Sequence, residues 1–319
     1  MRSTAASSIA PAQPQVFDAR GDLTAAAADI EAQFAETGAV RVTGTGIRAI
    51  NELLPFLPSL GFGPEEQFSG GGRTASGWQE KWVVPGLRRL DFYPPHLYLL
   101  PNGEIHYQRD FPARILFFCD VPPERGGETF LHSADATEAA IVAQGPAGRD
   151  LLAKLRAQGQ MIETGFLDRD HPRKKQNYHQ SWQERFGTDD RDAALAVAKS
   201  RSREYDDCWW VEDEGYPVLM TRITLPGFFE GYMRFSRIAA DGPSAQNGFR
   251  RFPFGDGTEF SEAEKRLLKQ AYLATAQGTP WHQGDLILMD NIRYAHSRAP
   301  FAGKREVYLG MAGMKQINK

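Results

Sequence analysis

The chain has 319 residues, with 37 Lys and Arg against 40 Asp and Glu and a formal net charge of -3, so nothing in the bulk charge pulls it toward nucleic acid or an anionic membrane. Apolar residues make up 41%, aromatics 11% and charged residues 24%, which excludes a disordered or fibrous chain and fits one large globular domain or two ordinary ones. The two cysteines, Cys119 and Cys208, exclude a disulfide framework and a cysteine-rich zinc site. Any metal therefore falls to carboxylates and to His96, His106, His132, His171, His179, His282 and His296.

Residues 1–20 read as a flexible leader, with one early Arg and no apolar core of signal-peptide length. No run approaches the roughly 18 apolar residues of a membrane span, so a reducing cytoplasm is the expected location. Asp22 is placed to cap a helix whose inward face is Leu23, Ala27, Ile30 and Phe34, and Gly38 ends it. Ala39–Thr43 then alternates as a strand. Residues 61–80 are a Gly-rich loop without phosphate-loop spacing, read as a surface loop or lid, with Arg73 a solvated side chain.

Residues 112–121, PARILFFCDV, are the clearest buried strand, and PPERGGET turns into the next. Arg114 reads as a strand-end charge. The stretch from about 133 to 250 is expected to be a mostly helical, polar insertion; Trp209 and Trp210 in it read as core or interface anchors. Ser261 and Glu264 form a capping box opening a helix to about Ala276, with Leu267, Leu268, Ala271 and Tyr272 inward. WHQGDLILMDN reads as turn, strand, turn, and REVYLGMAG as the last strand. Short scattered strands without βαβ alternation predict a mainly β fold with helical insertions, a jelly-roll core in one domain over 21–319.

The chemistry concentrates at the C-terminus. A buried strand delivers the turn Asp290–Asn291, then His296, and nine residues later Arg305. A strand-borne Arg suits bidentate capture of a carboxylate, and a neutral imidazole suits a borderline metal such as iron.

WHQGDLILMDNIRYAHSRAPFAGKREV resembles the C-terminal motif of the TauD/TfdA-like iron(II), 2-oxoglutarate-dependent oxygenases, in the clavaminate-synthase-like branch. PARILFFCDVPPERGGETFL resembles that branch's strand, turn and GGET motif, and SWQERFGTDDRDAALAVA and FPFGDGTEFSEAEKRLL its insertion and last-helix segments. The resemblance covers about residues 95–315. It implies a double-stranded β-helix, Fe(II) held by two His and one acidic residue, and 2-oxoglutarate on the metal, whose oxidative decarboxylation drives oxidation of a substrate. Residue by residue it implies His296 as the distal metal ligand, Arg305 and Thr129 as partners of the far carboxylate of 2-oxoglutarate, and Asp290 and Asn291 as shapers of the turn.

The proximal motif departs from the pattern. Where the family has His-x-Glu, this chain has Asn102-Gly103-Glu104. Glu104 stands at the carboxylate position and Asn102 where the first His belongs. Three readings compete: Asn102 ligates through its amide oxygen or a water fills the place; His106 substitutes, against the roughly 13 Å that four strand residues span; or no catalytic iron binds. The other histidines read as bland, His171, His179 and His282 as surface or partly exposed and His96 as too far from the motif. His132 is a weak candidate to face the site.

The expected function is an oxygenase acting on a small polar substrate, an amino acid free or tethered to a carrier protein, with hydroxylation or a related oxidation as outcome. The alternative is a metal-deficient or repurposed member that binds a small acid on the same fold. No nucleic acid or membrane partner is expected, and a homodimer is the default assembly.

Overall fold

The computed structural model describes residues 15–63, 82–84, 87–89, 94–106, 108–176, 180–225 and 250–316. Its strands in chain order are β1 (Gln15–Asp18), β2 (Ala39–Thr43), β3 (Trp82–Val84), β4 (Leu87–Arg89), β5 (Leu99–Asn102), β6 (Asp110–Val121), β7 (Arg125–Gly126) and β8 (Thr129–Ser133). They continue as β9 (Gln160–Phe166), β10 (Asp207–Asp213), β11 (Tyr216–Leu225), β12 (Arg250–Arg251), β13 (Leu286–Asp290), β14 (Tyr294–Arg298), β15 (Phe301–Ala302) and β16 (Glu306–Gln316).

Among the described residues a seven-stranded sheet runs β1-β2-β13-β6-β16-β4-β3, and a three-stranded sheet runs β5-β14-β8. Phe117, Ile287, Met289, Val307, Leu309 and Met311 from the large sheet cluster with Leu131 and Tyr294 from the small one. Two sheets closing on one apolar interior make the jelly roll that the strand pattern predicts. The alternation of the strands then sets a second face. Val40, Val42, Leu116, Phe118, Leu286 and Leu288 turn away from that interior and pack with Leu23 and Ile30 of the helix Leu23–Thr37. This helix carries the caps its sequence promises: the Asp22 carboxylate accepts from the Ala25 amide at 3.0 Å, and Gly38 closes it at φ 75°.

The small sheet has its own outer layer. Ala295 on β14 packs with Ile141, Leu151, Leu155, Leu268 and Ala271 from the helices Ala134–Val142, Pro146–Gln158 and Glu262–Thr275. The predicted Ser261–Glu264 capping box opens the last of these, with Leu268, Ala271 and Tyr272 buried.

Two expectations need revision. Residues 15–18 of the expected leader form β1, which pairs in parallel with β2 and extends the large sheet; residues 1–14 lie outside the described residues. The insertion is helical only in part, because β10, β11, β9 and β12 form a four-stranded antiparallel sheet within it. The Thr- and aromatic-rich stretches around Trp209, Trp210 and Thr221 carry strand propensity that a reading weighted by polarity passes over. Trp209 and Trp210 do anchor this layer, under the Arg222 and Arg191 guanidinium groups respectively. Arg73 and His179 lie outside the described residues.

The insertion is tied to the segment following Glu104 by charge. Buried Arg109 donates to both carboxylate oxygens of Asp206 at 2.8 and 2.7 Å and to Thr224 O at 3.1 Å, and Arg203 clasps Asp110. Arg109 is buried but Asp206 keeps 28% of its side chain exposed, so solvent screens the pair in part. Arg109→Ala is expected to lower the unfolding free energy by about 2 kcal/mol through lost packing and hydrogen bonds, read from urea denaturation; a loss under about 1 kcal/mol would show that the clasp contributes no more than a surface pair.

Candidate functional site

β14 is the middle strand of the small sheet, and its register lines up the residues that the sequence singles out. His296 pairs with Asn102 on β5 and with Leu131 on β8, and Arg298 pairs with Thr129. Because alternate residues share a face, Tyr294, His296 and Arg298 point to the jelly-roll interior; the His296 ring meets Phe117 edge-on at 5.0 Å. Thr129 is thus one same-face step, about 7 Å, from the residue opposite His296.

Glu104 follows β5 directly. Its Oε2 lies 3.8 Å from His296 Nε2, and both side chains are largely buried. The Asn291 side chain sets this placement: its Oδ1 accepts from the Glu104 amide at 2.9 Å, and its Nδ2 donates to Glu104 O at 2.9 Å and Pro112 O at 2.7 Å. Fully buried Asn291 therefore clips the Glu104 backbone to the turn before His296, the structural part the motif implies. Asp290 shapes the same turn by accepting from the Ile292 and Arg293 amides.

Asn102 donates from Nδ2 to Leu100 O at 3.1 Å and His296 O at 3.3 Å. Carbonyls only accept, so these contacts fix which end of the amide is nitrogen, and Oδ1 is the Asn102 atom with lone pairs to offer.

His106 does not join this group, which corrects the reading that it replaces the first His. Period-2 alternation fails because the backbone turns at Gly103, with the His106 amide donating to Gly103 O, and Ile105 sits at φ 59°, a region a β-branched residue rarely enters. The His106 ring is buried against Phe111 at 4.3 Å. A Cβ on Gly103 would collide with that imidazole, so the glycine between Asn102 and Glu104 is a packing requirement that the motif hides. Among the described residues no three His, Cys, Asp or Glu gather as a metal cage.

Arg305 and Thr129 come together one same-face step along β8 from Leu131, the residue opposite His296. Both are buried; Arg305 Nη2 approaches Thr129 Oγ1 at 3.4 Å, and Nε donates to Gly127 O at 3.1 Å. Gly126 and Gly127 both take positive φ, and a Cβ on Gly127 would press on Phe301 and Arg305, which explains the paired glycines of GGET. Trp281, which the sequence reading left in a turn, donates from Nε1 to Thr129 Oγ1 at 3.3 Å. Cys119 lies buried nearby, where desolvation pushes its thiol up to about 12 against the pull of Arg305; it stays a thiol.

Elsewhere the sheet's outer face holds polar groups. His132 does not face the pocket. Its Nδ1 lies 3.1 Å from Tyr272 O and its Nε2 2.9 Å from Ser297 Oγ, which in turn meets Tyr98 Oη at 2.6 Å. A carbonyl needs a donor, so Nδ1 carries the proton and Nε2 accepts from Ser297. On the interior face, Arg298 donates to Pro94 O and Leu97 O and holds the chain entering β5. His171 is buried on Asp213 rather than at the surface, His96 and His282 are exposed, and Arg114 pairs with Glu31 and covers Phe34 rather than serving as a simple strand-end charge.

These residues fit the groups that the resemblance implies. Donors 3.8 Å apart, one imidazole and one carboxylate, would be close enough to share one cation, and the buried Arg305–Thr129 pair would suit one carboxylate.

A family model described as "Taurine catabolism dioxygenase TauD, TfdA family" matches residues 8–311. A clavaminate synthase-like protein of Arabidopsis thaliana is 25% identical over 283 residues, covering 85% of this chain and 80% of its own. The dapdiamide synthesis protein DdaC of Enterobacter agglomerans is 23% identical over 251 residues, covering 73% of this chain and 71% of its own. The crystal structure of PvcB from Pseudomonas aeruginosa superposes with a TM-score of 0.47 at 14% identity, covering 91% of this chain and 82% of its own. No helix among the described residues is long and apolar enough to cross a membrane.

Two outcomes follow from this geometry. Asn291→Ala deletes three hydrogen bonds at a fully buried site and is expected to cost about 3 kcal/mol in urea denaturation; a loss below about 1 kcal/mol would remove Asn291 as the clip. Burial pushes the His132 imidazole down to about 4 from its ordinary 6.5. Its contribution is complete above pH 6.5 and erodes as pH falls through about 4, because the unfolded chain binds the proton first. Stability at pH 4 is expected to fall about 3 kcal/mol further in the native chain than in His132→Gln, and parallel stability–pH curves would refute it.

Proposed function

The chain belongs to the TauD/TfdA family of dioxygenases, and from that premise we propose that its pocket oxidises a small polar substrate with Fe(II) and 2-oxoglutarate. Glu104 and His296 are assigned to the metal, with Asn102 Oδ1 or a water beside them in the place of the family's first His. Arg305 and Thr129 are assigned to the far carboxylate of 2-oxoglutarate. Bound there, the iron and 2-oxoglutarate supply the oxidising power. The chain's own residues do the rest: Asn291 holds Glu104 in place, Arg305 and Thr129 orient the co-substrate, and Phe117, Leu131 and the interior cluster keep water out.

The observation that carries this reading is the 3.8 Å approach of Glu104 Oε2 to His296 Nε2 across a chain separation that only the fold closes. An amino acid, free or carried on a partner protein, is the proposed substrate class, supported by the resemblance to the clavaminate-synthase-like branch. A neutral amide is a weaker ligand than imidazole for Fe(II), so a looser metal and an outcome other than plain hydroxylation go with Asn102. The proposed assembly is a homodimer in the cytoplasm.

Anaerobic titration with Fe(II) and 2-oxoglutarate tests the reading through the weak visible charge-transfer band of the ternary complex. The band is expected in the native chain, absent in His296→Ala and Glu104→Ala, and reached at about tenfold lower iron in Asn102→His. No band and no bound metal at millimolar iron would overturn the reading in favour of a metal-free acid-binding pocket.

A further inference from the structure

The hydrogen-bond inventory at Thr129 assigns a part to one more residue. A hydroxyl has one proton to give and two lone pairs to receive. At Thr129 Oγ1 the two neighbours are Trp281 Nε1 at 3.3 Å and Arg305 Nη2 at 3.4 Å. An indole N–H and a guanidinium only donate, so both neighbours take lone pairs and neither takes the Thr129 proton. That proton has to serve a third group, and Thr129 is buried beside the cationic end of the pocket.

Trp281 is well held for this. It is buried in the interior cluster with Ile287 and Leu131, and the Arg41 guanidinium lies over its ring at 5.7 Å. Arg41 is fixed in turn by its ion pair with Asp285 and by Pro280 O, the carbonyl just before Trp281. The indole cannot swing away from Thr129 without breaking this buried arrangement.

We propose that Trp281 is a positioning residue for 2-oxoglutarate. By occupying one lone pair of Thr129 it makes that hydroxyl an obligate donor. With Arg305 it turns this end of the pocket into an all-donor surface that takes an ionised carboxylate and refuses the neutral amide. Without the indole N–H, Thr129 regains a lone pair and can rotate to accept from an amide. The inference rests on the reading that Arg305 and Thr129 hold the far carboxylate of 2-oxoglutarate.

Calorimetry with the Mn(II)-loaded protein tests it, using N-oxalylglycine, a non-reacting analogue of 2-oxoglutarate, and N-oxalylglycinamide, which carries an amide at the far end. Trp281→Phe is expected to weaken N-oxalylglycine about tenfold and to leave N-oxalylglycinamide nearly unchanged, so that discrimination between the two falls about tenfold. Benzothienylalanine at position 281 keeps the ring and removes the N–H, and it is expected to give the same pattern if the phenyl ring packs poorly. Trp281→Phe is expected to cost nothing further once Thr129 is Val. Equal weakening of both ligands, unchanged binding of both, or additive losses in the double variant would each overturn the assignment. A native chain that binds N-oxalylglycine no better than Arg305→Gln would instead overturn the reading of the pocket itself, and the assignment with it.

Discussion

β14 is hydrogen-bonded along both edges, and the pocket depends on that constraint. One edge pairs with β5 and so fixes the start of the Asn102–Glu104 segment; the other pairs with β8 and fixes Thr129. A strand paired on both sides cannot slip by one residue without turning its whole interior set outward. The same ladder therefore brings side chains from residues 102–104, 129 and 296 to one place, with no long side chain needed to reach. The Asn291 amide extends the constraint past the end of the ladder, where β5 has stopped and Glu104 would otherwise sit on an unpaired turn.

The two faces of β14 carry different work, and alternation keeps them apart. His296 and Arg298 serve the interior, while Ala295 and Ser297 face the helical layer. The chain from Tyr98 through Ser297 and His132 to Tyr272 O satisfies every polar group in it only in one direction of donation. A network with a single hydrogen-bond sense favours one rotamer per member. It steadies the strand from behind while contributing no group to the pocket. Arg298 does the same from the front by tying down the chain that leads into β5.

Much of this was legible because it is local. The Asp22 and Ser261 caps and the apolar run of β6 depend on neighbours a few residues away. The motifs around Glu104, Thr129, His296 and Arg305 were legible for a different reason: each resembles a family motif in the right order, and the resemblance carries the site residues with it. A strand period of two misplaces His106, because β5 ends at Asn102 and the turn that starts at Gly103, with Ile105 at φ 59°, re-aims the chain. The part of Trp281 was not legible at all. Its meaning lies in a lone pair of a residue 152 positions away, and no spacing within WHQGDLILMDN records that. The insertion sheet escaped for a third reason: the polar residues of its β10–β11 hairpin mask the strand pattern, and β9 reaches β11 only across intervening helices.

The replacement of a histidine by Asn102 also has a structural logic. An imidazole ligating through one nitrogen keeps a single N–H for the protein, whereas the Asn102 amide gives two donors, one to Leu100 O in its own strand and one to His296 O in the next. The side chain thus staples β5 to β14 at the point where the ladder ends and Glu104 begins. On the proposed assignment of Glu104 and His296 to the metal, a weaker ligand at position 102 is offset by the placement of these two groups, which hang from the two strands that Asn102 joins. Asn291 fixes the Glu104 backbone through its N–H and C=O, and the Asn102 staple fixes the end of the strand that leads into it. The departure at Asn102 is accordingly embedded in a tightly hydrogen-bonded segment and is part of how that segment is built.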